Sequence, residues 1–121
     1  MQVSKKQVNP NLKKQIHQLL YQVLADIHSK KEAEIFLNEV LTENELEMLA
    51  KRLGVAYYLD KGRSYANIKT NLRLSSATIS AVADQMKKGR GFKIALEKIR
   101  AEEWANKWAK RIGRTFKKRI P

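Results

Sequence analysis

The residues best suited to chemistry lie between Ser64 and Arg90. Two short segments there, one opening at Ser64 and the other at Ser75 or Ser76, each begin with a hydroxyl residue fit to cap a helix. About four residues separate them, and Ile68, Leu72, Leu74, Ile79 and Val82 are spaced to lock them at a steep angle. The outward face of the second segment starts with small side chains: Ser76, Ala77, Thr78, Ser80 and Ala81. A helix enters the DNA major groove only if its leading face is slim. Hydroxyls can then bond base edges, and alanine or threonine methyls can touch a thymine methyl. Lys69, Lys87, Lys88 and Arg90 flank this face and suit phosphates, which set affinity without reading sequence. This is the chemistry of a helix-turn-helix over about residues 64–88. A plain helical hairpin in a basic protein would carry the same caps and stripes, and that reading stays open.

Other chemistries are poorly supplied. The chain has no cysteine, which removes disulfides, thiolate metal sites and cysteine nucleophiles together. His17 and His28 stand eleven positions apart, with no second histidine at helical ligand spacing and no cysteine, so no metal site is expected. Glu43, Glu45 and Glu47 are acids in a first helical turn, which favours a helix N-terminus more than catalysis. No glycine-rich phosphate loop or nucleophile motif is present, and the chain reads as a non-enzyme. Arg52 is a candidate ligand anchor, or equally one half of an ion pair.

The balance of charge points the same way. Lys plus Arg outnumber Asp plus Glu by 25 to 12, a net charge of +13 over 121 residues. Such an excess seeks a polyanion: DNA, RNA or an acidic membrane surface. The excess is +6 over residues 61–104 and +7 over 105–121, so the binding surface belongs to the second half. Neither a signal-peptide core nor an 18-residue apolar run is seen, and the expected location is the cytoplasm, with the nucleoid.

Six helices in an all-α fold are needed to position these residues. Residues 1–9 read as a flexible segment, with Asn9-Pro10 starting the first helix. Its apolar positions are Ile16, Leu19, Leu20, Val23, Leu24 and Ile27. Ser29 to Glu32 has capping-box form and opens a second helix, which carries Ala33, Phe36, Leu37 and Val40. Thr42 to Glu45 repeats the signal. Leu46, Leu49, Leu53 and Ala56 then form the expected buried stripe of a third helix, stopped by Gly62. The fourth and fifth helices are the helix-turn-helix pair, with Val82, Ala83 and Met86 turned inward and Gly89 as the stop. A sixth begins near Phe92, uses Ala95, Leu96 and Ile99, and is read as ending the domain at 103.

Residues 104–121 form a basic amphipathic extension. Trp104, Trp108, Ile112 and Phe116 recur every four residues, with Lys107, Lys110, Arg111, Arg114, Lys117, Lys118 and Arg119 between them. Three readings are open: a core-docked helix with a solvated basic face, an arm along DNA phosphates, and, least favoured, a helix that binds a membrane surface or a partner protein.

Residues 42–88 resemble the bacterial tryptophan repressor family, and more closely its YerC/YecD-like branch. The matching words are Leu41-Thr42-Glu43-Asn44-Glu45, Lys51-Arg52-Leu53-Gly54-Val55, Lys61-Gly62 and Ala77-Thr78-Ile79-Ser80. A weaker likeness extends over residues 10–100. The resemblance implies an intertwined homodimer whose reading heads meet successive major grooves about 34 Å apart. It implies that Ser76, Ala77, Thr78 and Ser80 face bases, that Lys69 and Lys87 face phosphates, and that Tyr65 also faces DNA. It further implies an effector pocket walled by Leu41, Thr42 and Arg52.

The opposite wall of that pocket departs from the family. Ala81 and Val82 replace an arginine and a glycine, and Gln85 stands where a serine helps hold the ligand. One face of the indole sandwich is lost, and Val82 is expected to fill the cavity. No cofactor is therefore expected, and free tryptophan is not expected as co-repressor. The leading function is a dimeric, sequence-specific repressor acting on double-stranded DNA. The alternatives are a non-specific binder of RNA or chromosomal DNA, and an interaction protein whose helices dock partners.

Overall fold

A computed structural model describes residues 6–119, with side chains described as far as Arg114. Every regular element among them is helical: α1 Pro10–Asp26, α2 Lys30–Val40, α3 Glu43–Asp60, α4 Tyr65–Leu72, α5 Ser76–Lys88 and α6 Gly91–Arg119. Residues 1–5 of the expected flexible segment, and the side chains of Phe116, Lys117, Lys118 and Arg119, lie outside the described residues. The chain divides into two compact units, Met1–Met48 and Leu49–Pro121.

In the first unit, local capping chemistry sets the helix starts. The Asn9 side chain accepts the Asn11 amide at 2.9 Å, with Pro10 in the first turn. Ser29 Oγ accepts the Glu32 amide at 3.1 Å. Each such cap stabilises its helix by about 1 kcal/mol. The start of α3 has both halves of a capping box: Thr42 Oγ1 accepts from the Glu45 amide, and Glu45 Oε1 accepts from the Thr42 amide. No residue of α1 or α2 is buried. Ile16, Leu19, Leu20, Val23 and Leu24 are exposed, whereas Phe36 and Leu37 are half-buried.

The second unit holds the core. Val55, Ala56, Ile68, Leu74, Ile79 and Val82 are buried together, with Tyr58, Leu59, Leu72, Met86 and Phe92 packed around them. Here the expected stripe of α3 needs correction. Ala56 is buried, but Leu49 and Leu53 are exposed, and Val55 takes the central place. The apolar arc of α3 is wider than the core covers, so the two leucines sit on a shoulder roughly a quarter turn round. Gly62, at φ 81°, closes α3: its amide bonds the Leu59 carbonyl, and the Arg63 amide bonds that of Tyr58. The two arginine and lysine side chains beside this turn lie over tyrosines, Lys61 over Tyr57 and Arg63 over Tyr58.

Two ion pairs tie the end of α3 to the middle of α6. Lys61 meets Glu103 at 3.2 Å, and Arg100 meets Asp60. Beyond Glu103, α6 continues through Trp104 as one helix.

Candidate nucleic-acid interface

α4 and α5 form the expected helix-turn-helix. Ser64 Oγ accepts the Asn67 amide and Ser75 Oγ accepts the Thr78 amide, each at 3.1 Å, so Ser75 rather than Ser76 caps α5. The turn between them depends on Arg73, whose backbone lies in the left-handed region at φ 54°. The Leu74 amide then reaches back to the Lys69 carbonyl, and the Leu74 side chain drops into the core. Ile68, Ile79 and Val82 close the angle between the helices from within.

With Ile79, Val82 and Met86 turned inward, the outer face of α5 follows from 3.6-residue periodicity. Ala77, Ala81, Asp84 and Lys88 fall roughly opposite the core, with Ser76, Ser80 and Lys87 on one shoulder. Ser76, Ala77, Ser80 and Ala81 are exposed. Thr78 differs. It is half-buried, and its Oγ1 lies 2.9 Å from Ser75 Oγ, so its hydroxyl serves the helix cap. Tyr65 and Lys69 on α4, Lys87 and Lys88 at the end of α5, and Arg90 just after it are exposed. Lys88 is engaged by Asp84 at 2.9 Å. Asp84 went unnoticed in the sequence, although its position, seven residues after Ala77 and four before Lys88, was sufficient to place it on the same face.

The other shoulder borders a cleft of about 420 Å³ lined by Arg52, Ala77, Thr78, Ala81, Val82, Gln85 and Phe92. It brings together Arg52, Val82 and Gln85, which sequence reasoning had grouped as an effector pocket, and adds Phe92. Ala77 and Ala81 of the outer face of α5 also reach its wall. Val82 is buried in the core, yet the cleft is not filled: the valine forms part of its wall. Its side chain belongs both to the core cluster with Ile79 and to that wall. Gln85 also helps end α5. Its carbonyl accepts the Gly89 amide at 2.8 Å, and a Cβ at Gly89 would come within 2.5 Å of its Nε2. Leu41 and Thr42 belong to the first unit, where Leu41 ends α2 and Thr42 starts α3.

Comparison with known proteins agrees with this architecture. The family model for the Trp repressor protein matches residues 14–100. The uncharacterized protein YerC of Bacillus subtilis (strain 168) is 33% identical over 91 residues, which is 74% of this chain and 86% of YerC. A TrpR-like protein from Eubacterium eligens ATCC 27750, solved by crystallography, superimposes with a TM-score of 0.67 at 33% identity. That match covers 75% of this chain and 95% of the other. A second solved structure, from Staphylococcus aureus, matches with a TM-score of 0.66 at 27% identity, covering 70% and 86%. A six-helix chain with a capped helix-turn-helix, matched over 14–100 by that model, belongs to the Trp repressor protein family.

Proposed function

We propose that this protein is a dimeric, sequence-specific DNA-binding regulator of transcription, most simply a repressor, acting in the cytoplasm at the nucleoid. The observation that carries the reading is the slim, exposed leading face of α5, Ser76, Ala77, Ser80 and Ala81, on a helix-turn-helix whose Tyr65, Lys69 and Lys87, with Arg90 after it, are also exposed. Small side chains admit the helix to the major groove, and the cations anchor it on phosphates. Membership of a repressor family supports the same reading. The dimer is supported by α1, whose apolar stripe of Ile16, Leu19, Leu20, Val23 and Leu24 is exposed in the single chain. A stripe that long normally meets another surface.

Free tryptophan is not its effector in this reading. Ala81 supplies no flat cation to stack on an indole, and Val82 narrows the cleft that a glycine would leave open. Calorimetric titration is expected to give no heat of tryptophan binding; micromolar affinity would overturn this part alone.

Selection of binding sites from random duplexes, followed by footprinting, tests the main proposal. The expected result is protection of a near-palindrome with half-sites about one helical turn apart, bound at least about 10³-fold more tightly than unrelated DNA. Equal affinity for all sequences would replace it with a non-specific binder. No shift of any duplex at moderate salt would leave a protein-docking role.

A further inference from the structure

The second half of α6 lies beyond the residues matched by the family model and is not used by the DNA-reading surface. Every described residue from Trp104 to Arg114 is exposed. Trp104 is 63% exposed, Trp108 45% and Ile112 59%, values that rule out docking of this stripe on the chain's own core. The reason is angular. At 100° per residue, the stripe lies roughly 160° round α6 from Phe92, Leu96 and Ile99, which face inward. With no glycine or proline between Phe92 and Ile112, the helix cannot swivel the tryptophans toward the core.

We propose that the exposed stretch of α6 from Trp104 to Arg114 is a peripheral docking helix for an anionic lipid surface. Two features must be satisfied by one occupant. The first is the apolar stripe, with the Trp104 and Trp108 rings 5.6 Å apart. The second is the basic flank of Lys107, Lys110, Arg111 and Arg114, within a stretch, residues 105–121, that contains no acid. Trp104, Lys107, Trp108 and Arg111 together line a cleft of about 210 Å³ with both aromatic and cationic walls. The Arg111 guanidinium lies 6.0 Å from the Trp108 ring centre, so a cation accompanies the aromatic edge.

DNA phosphates would satisfy the cations but leave two indoles and an isoleucine in water. A second copy of the helix would cover the indoles but bring two such basic stretches together. The headgroup boundary of an anionic bilayer takes both: indoles settle at that depth, and lysine and arginine reach the lipid phosphates. No helix among the described residues is long and apolar enough to cross a membrane, so the segment lies on the surface.

This chain reports on the surface directly, because Trp104 and Trp108 are the two tryptophans of its sequence. Vesicles of phosphatidylglycerol should shift tryptophan emission to the blue and protect it from acrylamide quenching, and vesicles of phosphatidylcholine should not. In co-sedimentation, the Lys107→Gln, Lys110→Gln, Arg111→Gln, Arg114→Gln variant should lose up to about a thousandfold in partition onto the anionic vesicles. Trp104→Ser with Trp108→Ser should also release the protein, with far-UV circular dichroism unchanged. An unshifted spectrum with phosphatidylglycerol overturns the proposal, as does an equal shift with both lipids. A shift seen only with duplex DNA would assign the helix to phosphates. One that grows with protein concentration in the absence of lipid would assign it to a second copy. Because emission reports only on α6, loss of this proposal would leave the DNA-reading proposal standing, and the reverse holds as well.

Discussion

Asp84 and Lys88 form an ion pair of 2.9 Å one turn apart on the outer face of α5. Both side chains are largely exposed, so the pair adds no more than about 0.5 kcal/mol to stability. Its effect on binding is larger, because the acid sits among the residues proposed to approach DNA and occupies a cation suited to phosphate. Asp84→Asn is expected to tighten binding to all duplexes. If Lys88 then takes up one more phosphate, the slope of log affinity against log salt steepens by about 0.9. Fluorescence anisotropy over a salt series measures both; an unchanged slope would show that Lys88 already contacts DNA in the wild type.

Ser80 and Lys87 should separate reading from anchoring. Ser80→Asp places a charge on an exposed position of the slim face and should abolish selective binding while leaving the melting curve nearly unchanged. Lys87→Gln should weaken specific and unrelated duplexes by a similar factor. If Lys87→Gln instead altered the preferred sequence, its side chain would be at a base edge.

The capping box of α3 predicts a pH dependence. The Thr42 amide, and then the Thr42 hydroxyl, hold the Glu45 carboxyl below its ordinary value of 4.5. A depressed folded value means that the charged form is favoured by folding. Its contribution is complete above the ordinary range and is lost as pH falls through the lowered folded value. NMR titration of Glu45 should show the depressed midpoint, and Glu45→Gln should remove this component of the acid transition while leaving neutral-pH folding intact.

Arg73 holds a left-handed conformation that costs an L-residue about 1 kcal/mol relative to glycine. Arg73→Gly should therefore raise stability by up to about that amount in chemical denaturation, without moving Leu74 out of the core. A loss of stability would mean that the arginine side chain contributes more than its backbone costs.

Local chemistry was the legible part of this fold. Asn9, Ser29, Thr42, Ser64 and Ser75 cap their helices through contacts two or three residues away, which a sequence displays directly. The same holds for Gly62 and for the buried Ile68, Ile79 and Val82 of the helix-turn-helix. Burial over longer range was not legible. Leu49 and Leu53 have the spacing of core residues, but which part of a wide apolar arc is covered depends on the elements packed against it. At the candidate site, Thr78 was counted among the exposed hydroxyls because spacing gives direction and not hydrogen bonding. The size of Val82 suggests a filled cleft, but size alone does not show how much room Arg52, Gln85 and Phe92 leave around it.

α6 runs for 29 residues, about 43 Å. Its inward side chains and its outer tryptophans share one continuous rod, fastened near the midpoint where Lys61 meets Glu103. The same helix carries Phe92, at the wall of the cleft beside α5, and Trp104, about 18 Å further along its axis. The wall of the cleft and the tryptophan stripe are thus two stretches of one rod.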